Sequence, residues 1–120
     1  MLNCLFVGVG GFIGSVLRYL VGLILVKCGS FPIGTFAVNI AGAFAIGFIA
    51  AYSMKNTSVD PHLLLMAKVG ICGGFTTFST FSLETLTIVR SGNIGTAVLY
   101  VVASIVACVA AVLCGQLAAR

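Results

Sequence analysis

The sequence predicts an all-α membrane protein with four spanning helices, the third of them broken. Three observations predict it. The 120 residues are 61% hydrophobic and only 7% charged, with a mean hydropathy of +1.27; a soluble domain of this size cannot cover its surface with so few charges. Four apolar segments each reach the roughly 20 residues that a bilayer crossing needs. The third contains Gly70-Ile71-Cys72-Gly73-Gly74-Phe75-Thr76-Thr77-Phe78-Ser79-Thr80-Phe81-Ser82, where glycines loosen the helix and five hydroxyls alternate with three phenylalanines. Broken backbone and clustered hydroxyls survive at membrane depth only where protein or water satisfies the freed polar groups. This segment therefore lines a polar path or site.

The first span runs from Leu2 to Val26 and is interrupted only by Arg18. The second runs from Pro32 to Met54, and the third from Pro61 to Val89, each opened by a proline placed where a helix tolerates it. The fourth runs from Ile94 to Leu117. Turn-type residues fill the breaks Lys27–Phe31, Lys55–Asp60 and Arg90–Asn93. Residues 1–120 form a single four-span domain with no room for a soluble one. The N-terminus lacks a basic region, and its apolar run outlasts a signal peptide, so the chain is expected to enter the membrane through its own first span.

Four spans put both termini on one side. That side carries Lys55, Lys68 and Arg120; the other carries Arg18, Lys27 and Arg90. Orientation normally follows a Lys/Arg excess in the cytoplasmic loops, and none exists here, so insertion both ways and antiparallel dimers are one reading. The other is a single orientation fixed by the first helix. The scattered net charge of +4 forms no patch for nucleic acid. The five cysteines (4, 28, 72, 108 and 114) contain no C-x-x-C pair and read as small packing residues. Gly10-x-x-x-Gly14 and Gly70-x-x-x-Gly74 set small residues one turn apart, as close-packed membrane helices do, although glycine is common here.

Several polar residues fall within the spans. Arg18 costs roughly 2.5–3.5 kcal/mol at mid-depth on insertion scales. It either snorkels or pairs, or it makes an electropositive vestibule for an anion. Asn39 either bonds a neighbouring helix or donates to a passing anion. Phe78 and Phe81 share a helix face, with Ser79 and Thr80 beside them. They are packing residues, or their positive ring edges meet an anion without a charged partner. Tyr100, Ser104 and Cys108 form an i, i+4, i+8 stripe on the fourth span, a polar track if it faces the phenylalanines. Glu84, one turn after Phe81, is interfacial or marks a pore mouth, and His62 sits at a span entrance. One histidine and two distant acids make no catalytic constellation.

The third-span motif Gly73-Gly74-Phe75-Thr76-Thr77-Phe78-Ser79-Thr80-Phe81-Ser82, with Asn39 in Gly34-Thr35-Phe36-Ala37-Val38-Asn39-Ile40-Ala41-Gly42, resembles the Fluc (CrcB) family of fluoride channels. Gly10-Gly11-Phe12-Ile13-Gly14-Ser15-Val16-Leu17-Arg18-Tyr19 is similar to that family's first-helix motif. The resemblance covers essentially the whole chain. It implies a dual-topology, antiparallel homodimer in the cell membrane, with two fluoride pores at the interface. Phe78 and Phe81 would form the phenylalanine box, Asn39 the pore-facing amide, and Ser79, Thr80, Tyr100 and Ser104 polar pore residues. Arg18 would sit near a vestibule. A structural sodium ion at the dimer centre would be held by the backbone carbonyls of Gly73 and Thr76. Cys108 stands where a further hydroxyl is expected. The implied function is passive export of cytoplasmic fluoride.

The rival reading is a proton-coupled exporter of the small multidrug type, also four-span and dual-topology. Such a transporter needs a membrane-embedded carboxylate; the first span has none, and Glu84 lies late in the third. A small assembly subunit, whose glycines and hydroxyls only pack helices, is the non-transport alternative.

Overall fold

The computed structural model describes residues 1–25 and 31–120. The predicted span end at Val26, the turn that opens at Lys27, and Cys28 lie outside the described residues. Among the described residues, four helices are long and apolar enough to cross a membrane. Helix α1 spans Leu2–Ile24 and α2 spans Ile33–Lys55, 23 residues each, about 35 Å long at 1.5 Å per residue. That clears a hydrocarbon core of roughly 30 Å. The last crossing, α6, spans Ile94–Ala118 and is numbered after the pieces of the third.

The third crossing runs from Pro61 to Arg90 in four pieces. These are α3 (Pro61–Leu65), a π-helical stretch (Met66–Cys72), α4 (Gly73–Phe75) and, beyond a break, α5 (Phe78–Arg90). Its entry is specified locally. Pro61 takes the first helical position, where a missing N–H is harmless, and the Asp60 carboxylate accepts from the backbone N–H of His62 at 2.8 Å and of Leu63 at 3.1 Å. Those bonds satisfy donors that the first turn leaves unpaired. Its exit is a tight turn through Gly92, whose φ of +84° favours a residue without a Cβ.

Two pairs of parallel helices make the bundle. In the first pair, α1 lies along the opening half of the third crossing. A Cβ on Gly70 would lie 2.8 Å from the Gly10 Cα, one on Gly74 would lie 2.6 Å from the Gly11 carbonyl oxygen, and one on Gly14 would strike the Ile71 carbonyl. The two G-x-x-x-G motifs therefore meet each other, backbone on backbone. In the second pair, α2 lies along α6. A Cβ on Gly47 would strike the Val112 carbonyl and one on Gly115 the Phe44 carbonyl. Lipid supplies no hydrophobic drive between helices, so close backbone approach and dispersion must hold them. Both termini lie at the end where the third crossing begins: His62 Nδ1 is 2.9 Å from Asn3 Oδ1, and Lys55 Nζ donates to the Arg120 carbonyl.

The break lies within the Gly70–Ser82 stretch read from sequence, but the glycines do not loosen the helix. Gly70, Gly73 and Gly74 remain within helical turns, and Gly73 has φ −65° and ψ −39°. The extended residues are Thr76 (φ −81°, ψ 157°) and Thr77 (φ −151°, ψ 121°). Gly70 and Gly74 serve close approach to α1; the bend falls on two β-branched residues that accept extended backbone readily.

Gly14→Leu should destabilise the folded chain by about 1–3 kcal/mol or more, the range for overpacking, read as a lower detergent-denaturation midpoint. Gly8→Ala is the control, since a Cβ there meets nothing within 4 Å, and its midpoint should not move.

Candidate functional site

At the break, helical hydrogen bonds are replaced by bonds from other elements. The Thr77 N–H, which in a continuous helix would close on the Gly73 carbonyl, donates instead to Asn39 Oδ1 at 2.8 Å. Asn39 Nδ2 donates to the Thr77 carbonyl at 3.1 Å. One amide side chain from α2 thus clamps both sides of a single residue's backbone. The Thr80 N–H donates to Thr77 Oγ1 at 3.2 Å, an N-cap for α5. The Thr77 hydroxyl donates to Thr80 Oγ1 at 3.1 Å and lies 3.2 Å from Ser79 Oγ. Arg18 Nε, from α1, donates to the Gly74 carbonyl at 3.1 Å. Arg18 is thus paired with backbone that the break exposes, the structural role the sequence left open. Asn39 bonds a neighbouring crossing, and its second amide N–H has no acceptor among the described residues.

On one side of the break is an open cavity of about 370 Å³ that Asn39, Gly73, Thr76, Phe78, Phe81 and Ser104 help to line. The Phe78 and Phe81 ring centroids are 5.5 Å apart and tilted by 38°. Phe78 is 78% exposed. Ser104 is only 6% exposed and its hydroxyl has no partner among the described residues. Cys108, one turn further along α6, lines the same cavity, so a thiol stands there in place of the expected hydroxyl. On the other side, Arg18 and Thr80 share a crevice of about 310 Å³ with Thr35 and Thr77. Asn39, Phe78, Phe81, Ser104, Gly73 and Thr76 are therefore brought together, Arg18 and Thr80 line one crevice on the other side, and Ser79 is exposed.

Tyr100 lies behind this cavity. It is 0% exposed, packs with Ile88 and Ala97, and its ring is 5.0 Å from Phe81 and 5.3 Å from Phe31. Its hydroxyl donates to Glu84 Oε2 at 2.8 Å, while Thr35 Oγ1 donates to Glu84 Oε1 at 2.9 Å. Glu84 is thus the hub of a three-residue polar network joining α2, α5 and α6. The sequence reading left this carboxylate without partners. The available signal was that the stripe's tyrosine and the late acid of the third span both needed one.

Fold and site together define a multi-pass membrane protein with a polar, aromatic-edged cleft at a broken span. The family model described as CrcB-like protein, Camphor Resistance (CrcB), matches residues 5–116, and the chain belongs to this family. It is 46% identical over 113 residues to the "Fluoride-specific ion channel FluC" of Azobacteroides pseudotrichonymphae, covering 92% of this chain and 90% of that protein. It is 46% identical over 121 residues to the protein of the same name from Chlorobaculum tepidum, covering 100% and 96%. With that from Rhizobium meliloti the identity is 44% over 107 residues, covering 88% and 86%.

Tyr100→Phe removes one of the two hydroxyl donors to Glu84. A hydrogen bond contributes about 0.5–1.5 kcal/mol net, so the variant should unfold at a measurably lower denaturant level with its helix content unchanged.

Proposed function

We propose that this chain is a fluoride-selective channel that passively exports cytoplasmic fluoride and relieves its toxicity. One observation carries the reading: a pair of phenyl rings, an amide with a spare donor and a partnerless hydroxyl converge on one cavity at a broken span. The relatives' names support it. Fluoride is small and strongly hydrated, so a narrow path must replace its water with donors. Asn39, the hydroxyls of Ser79, Thr80 and Ser104, and the positive edges of Phe78 and Phe81 supply them. None bears a full charge, so the ion is held weakly enough to leave, as conduction requires. Tyr100 backs the Phe81 ring and ties it to Glu84. Arg18, in its crevice, gives the approach a positive potential. Fluoride enters a cell as the neutral acid and dissociates inside; a passive channel lets the anion leave down its gradient.

The proposal includes a second copy, assembled as an antiparallel homodimer in the bilayer with pores at the interface. A phenylalanine 78% exposed beside an open cavity is a face that lacks a covering surface. The even split of basic residues favours insertion both ways. The cofactor reading is a structural sodium ion at the dimer centre. The residues fit it: extended Thr76 and Thr77 turn the Gly73 and Thr76 carbonyls away from helical partners, and a Cβ on Gly73 would meet nothing within 4 Å. Carbonyl oxygens are hard ligands suited to a small hard cation. Two inverted copies would present four of them, and the ion would lock the breaks together.

The exporter reading draws on one feature, the Glu84 carboxylate within the third crossing. Glu84→Gln should leave cation efflux at background, as in the native protein; abolished cation export would favour the exporter.

Phe78→Ile and Phe81→Ile should each lower fluoride efflux from proteoliposomes by about tenfold or more, roughly 1.4 kcal/mol of lost ion stabilisation, with the dimer intact on size exclusion. Unchanged flux in both would remove the aromatic site. A C-terminal tag in cells should be accessible from both faces of the membrane; accessibility from one face alone would remove the antiparallel dimer.

A further inference from the structure

Nothing in the third crossing's own sequence forces the break. No proline lies between residues 62 and 93, and the only positive φ among the described residues is at Gly92, after α5. Helical geometry persists through Phe75 and resumes at Phe78. The β-branched Thr76 and Thr77 bias the backbone only weakly. In apolar surroundings each unpaired peptide group is costly, so an isolated segment of this composition would close its helical bonds. What stands in their place comes mainly from outside: both polar groups of the Thr77 backbone are taken by the Asn39 amide, at 2.8 and 3.1 Å.

We infer that Asn39 is a positioning residue: its amide clamps the Thr77 backbone and holds the third crossing open. The neighbouring packing makes room for this. A Cβ on Gly42, one turn from Asn39 on α2, would strike Thr76 Cγ2, so α2 reaches the break because residue 42 has no side chain. Re-closure into continuous helix would draw α5 back by about 3.6 Å, the difference in rise over two residues. It would also re-phase Phe78 and Phe81 and return the Gly73 carbonyl to the Thr77 N–H. The bearing on conduction rests on the function proposed above; the clamp itself does not.

The test is the backbone conformation of Thr76 and Thr77, read from their Cα and Cβ chemical shifts in the full chain in detergent micelles. The native protein should give extended shifts at both. Asn39→Ala should lose the extended signature, toward helical or averaged values, while α1 and α6 keep their native shifts. Asn39→Asp keeps the acceptor for the Thr77 N–H and should retain it, although a carboxylate beside the anion path should suppress fluoride efflux. Asn39 acting only as an ion ligand predicts extended threonines in all three proteins, and that result overturns the clamp. If Asn39→Ala does not fold, Asn39→Leu, which fills the same volume with neither donor nor acceptor, takes its place: extended threonines with native shifts at α1 and α6 overturn the clamp equally. Helical shifts in the native protein overturn it outright. A native protein with extended threonines and no fluoride flux would count against the proposed function and leave the clamp standing.

Discussion

Two residues held out of helical geometry at membrane depth organise this molecule. Extended Thr76 and Thr77 interrupt the third crossing, and a bilayer core offers no water to compensate them. Several of the freed groups find partners on other elements, which ties the crossings together by more than apolar packing. Asn39 from α2 takes the Thr77 backbone, Arg18 from α1 takes the Gly74 carbonyl, and the Thr77 side chain caps α5. An arginine that would be costly in lipid and an asparagine that would be costly in a core both become cheap because the break needs them.

Glycine makes these long-range bonds geometrically possible. The Gly10/Gly70 and Gly14/Ile71 approaches bring α1 close enough for Arg18 to reach Gly74, and Gly42 lets α2 meet Thr76. The π-helical stretch Met66–Cys72 lies in this contact with α1. Such stretches often mark functional positions, and this one leads directly into the break. The same architecture leaves Gly73, Phe78 and Ser79 facing outward, the surface the proposed second copy would cover.

The four crossings and their limits were legible because length and hydropathy dominate membrane folding: α2 and α6 begin and end within one residue of the segments read from sequence. The candidate residues Asn39, Phe78, Phe81 and Ser104 were legible as polar or aromatic exceptions inside apolar runs, and they share one cavity. The break falls inside the stretch read from sequence, Gly70–Ser82, but on its threonines and not on the glycines expected to loosen the helix. Glycine in a membrane helix signals flexibility and close contact alike, and only the position of α1 decides between them. The Glu84 network was hidden for a related reason. Thr35, Glu84 and Tyr100 are far apart in sequence, and their convergence depends on helix rotation, which periodicity does not set.

A cleft whose donors are an amide, hydroxyls and ring edges is suited to a small anion that must pass without being trapped. That is the central claim, and parallel fluoride and chloride electrodes on liposomes loaded with both anions and reconstituted with the purified protein test it most directly. The account predicts rapid fluoride release with chloride release at the level of empty liposomes. Release of both anions, or of neither from a folded, sodium-supplied protein, would contradict it.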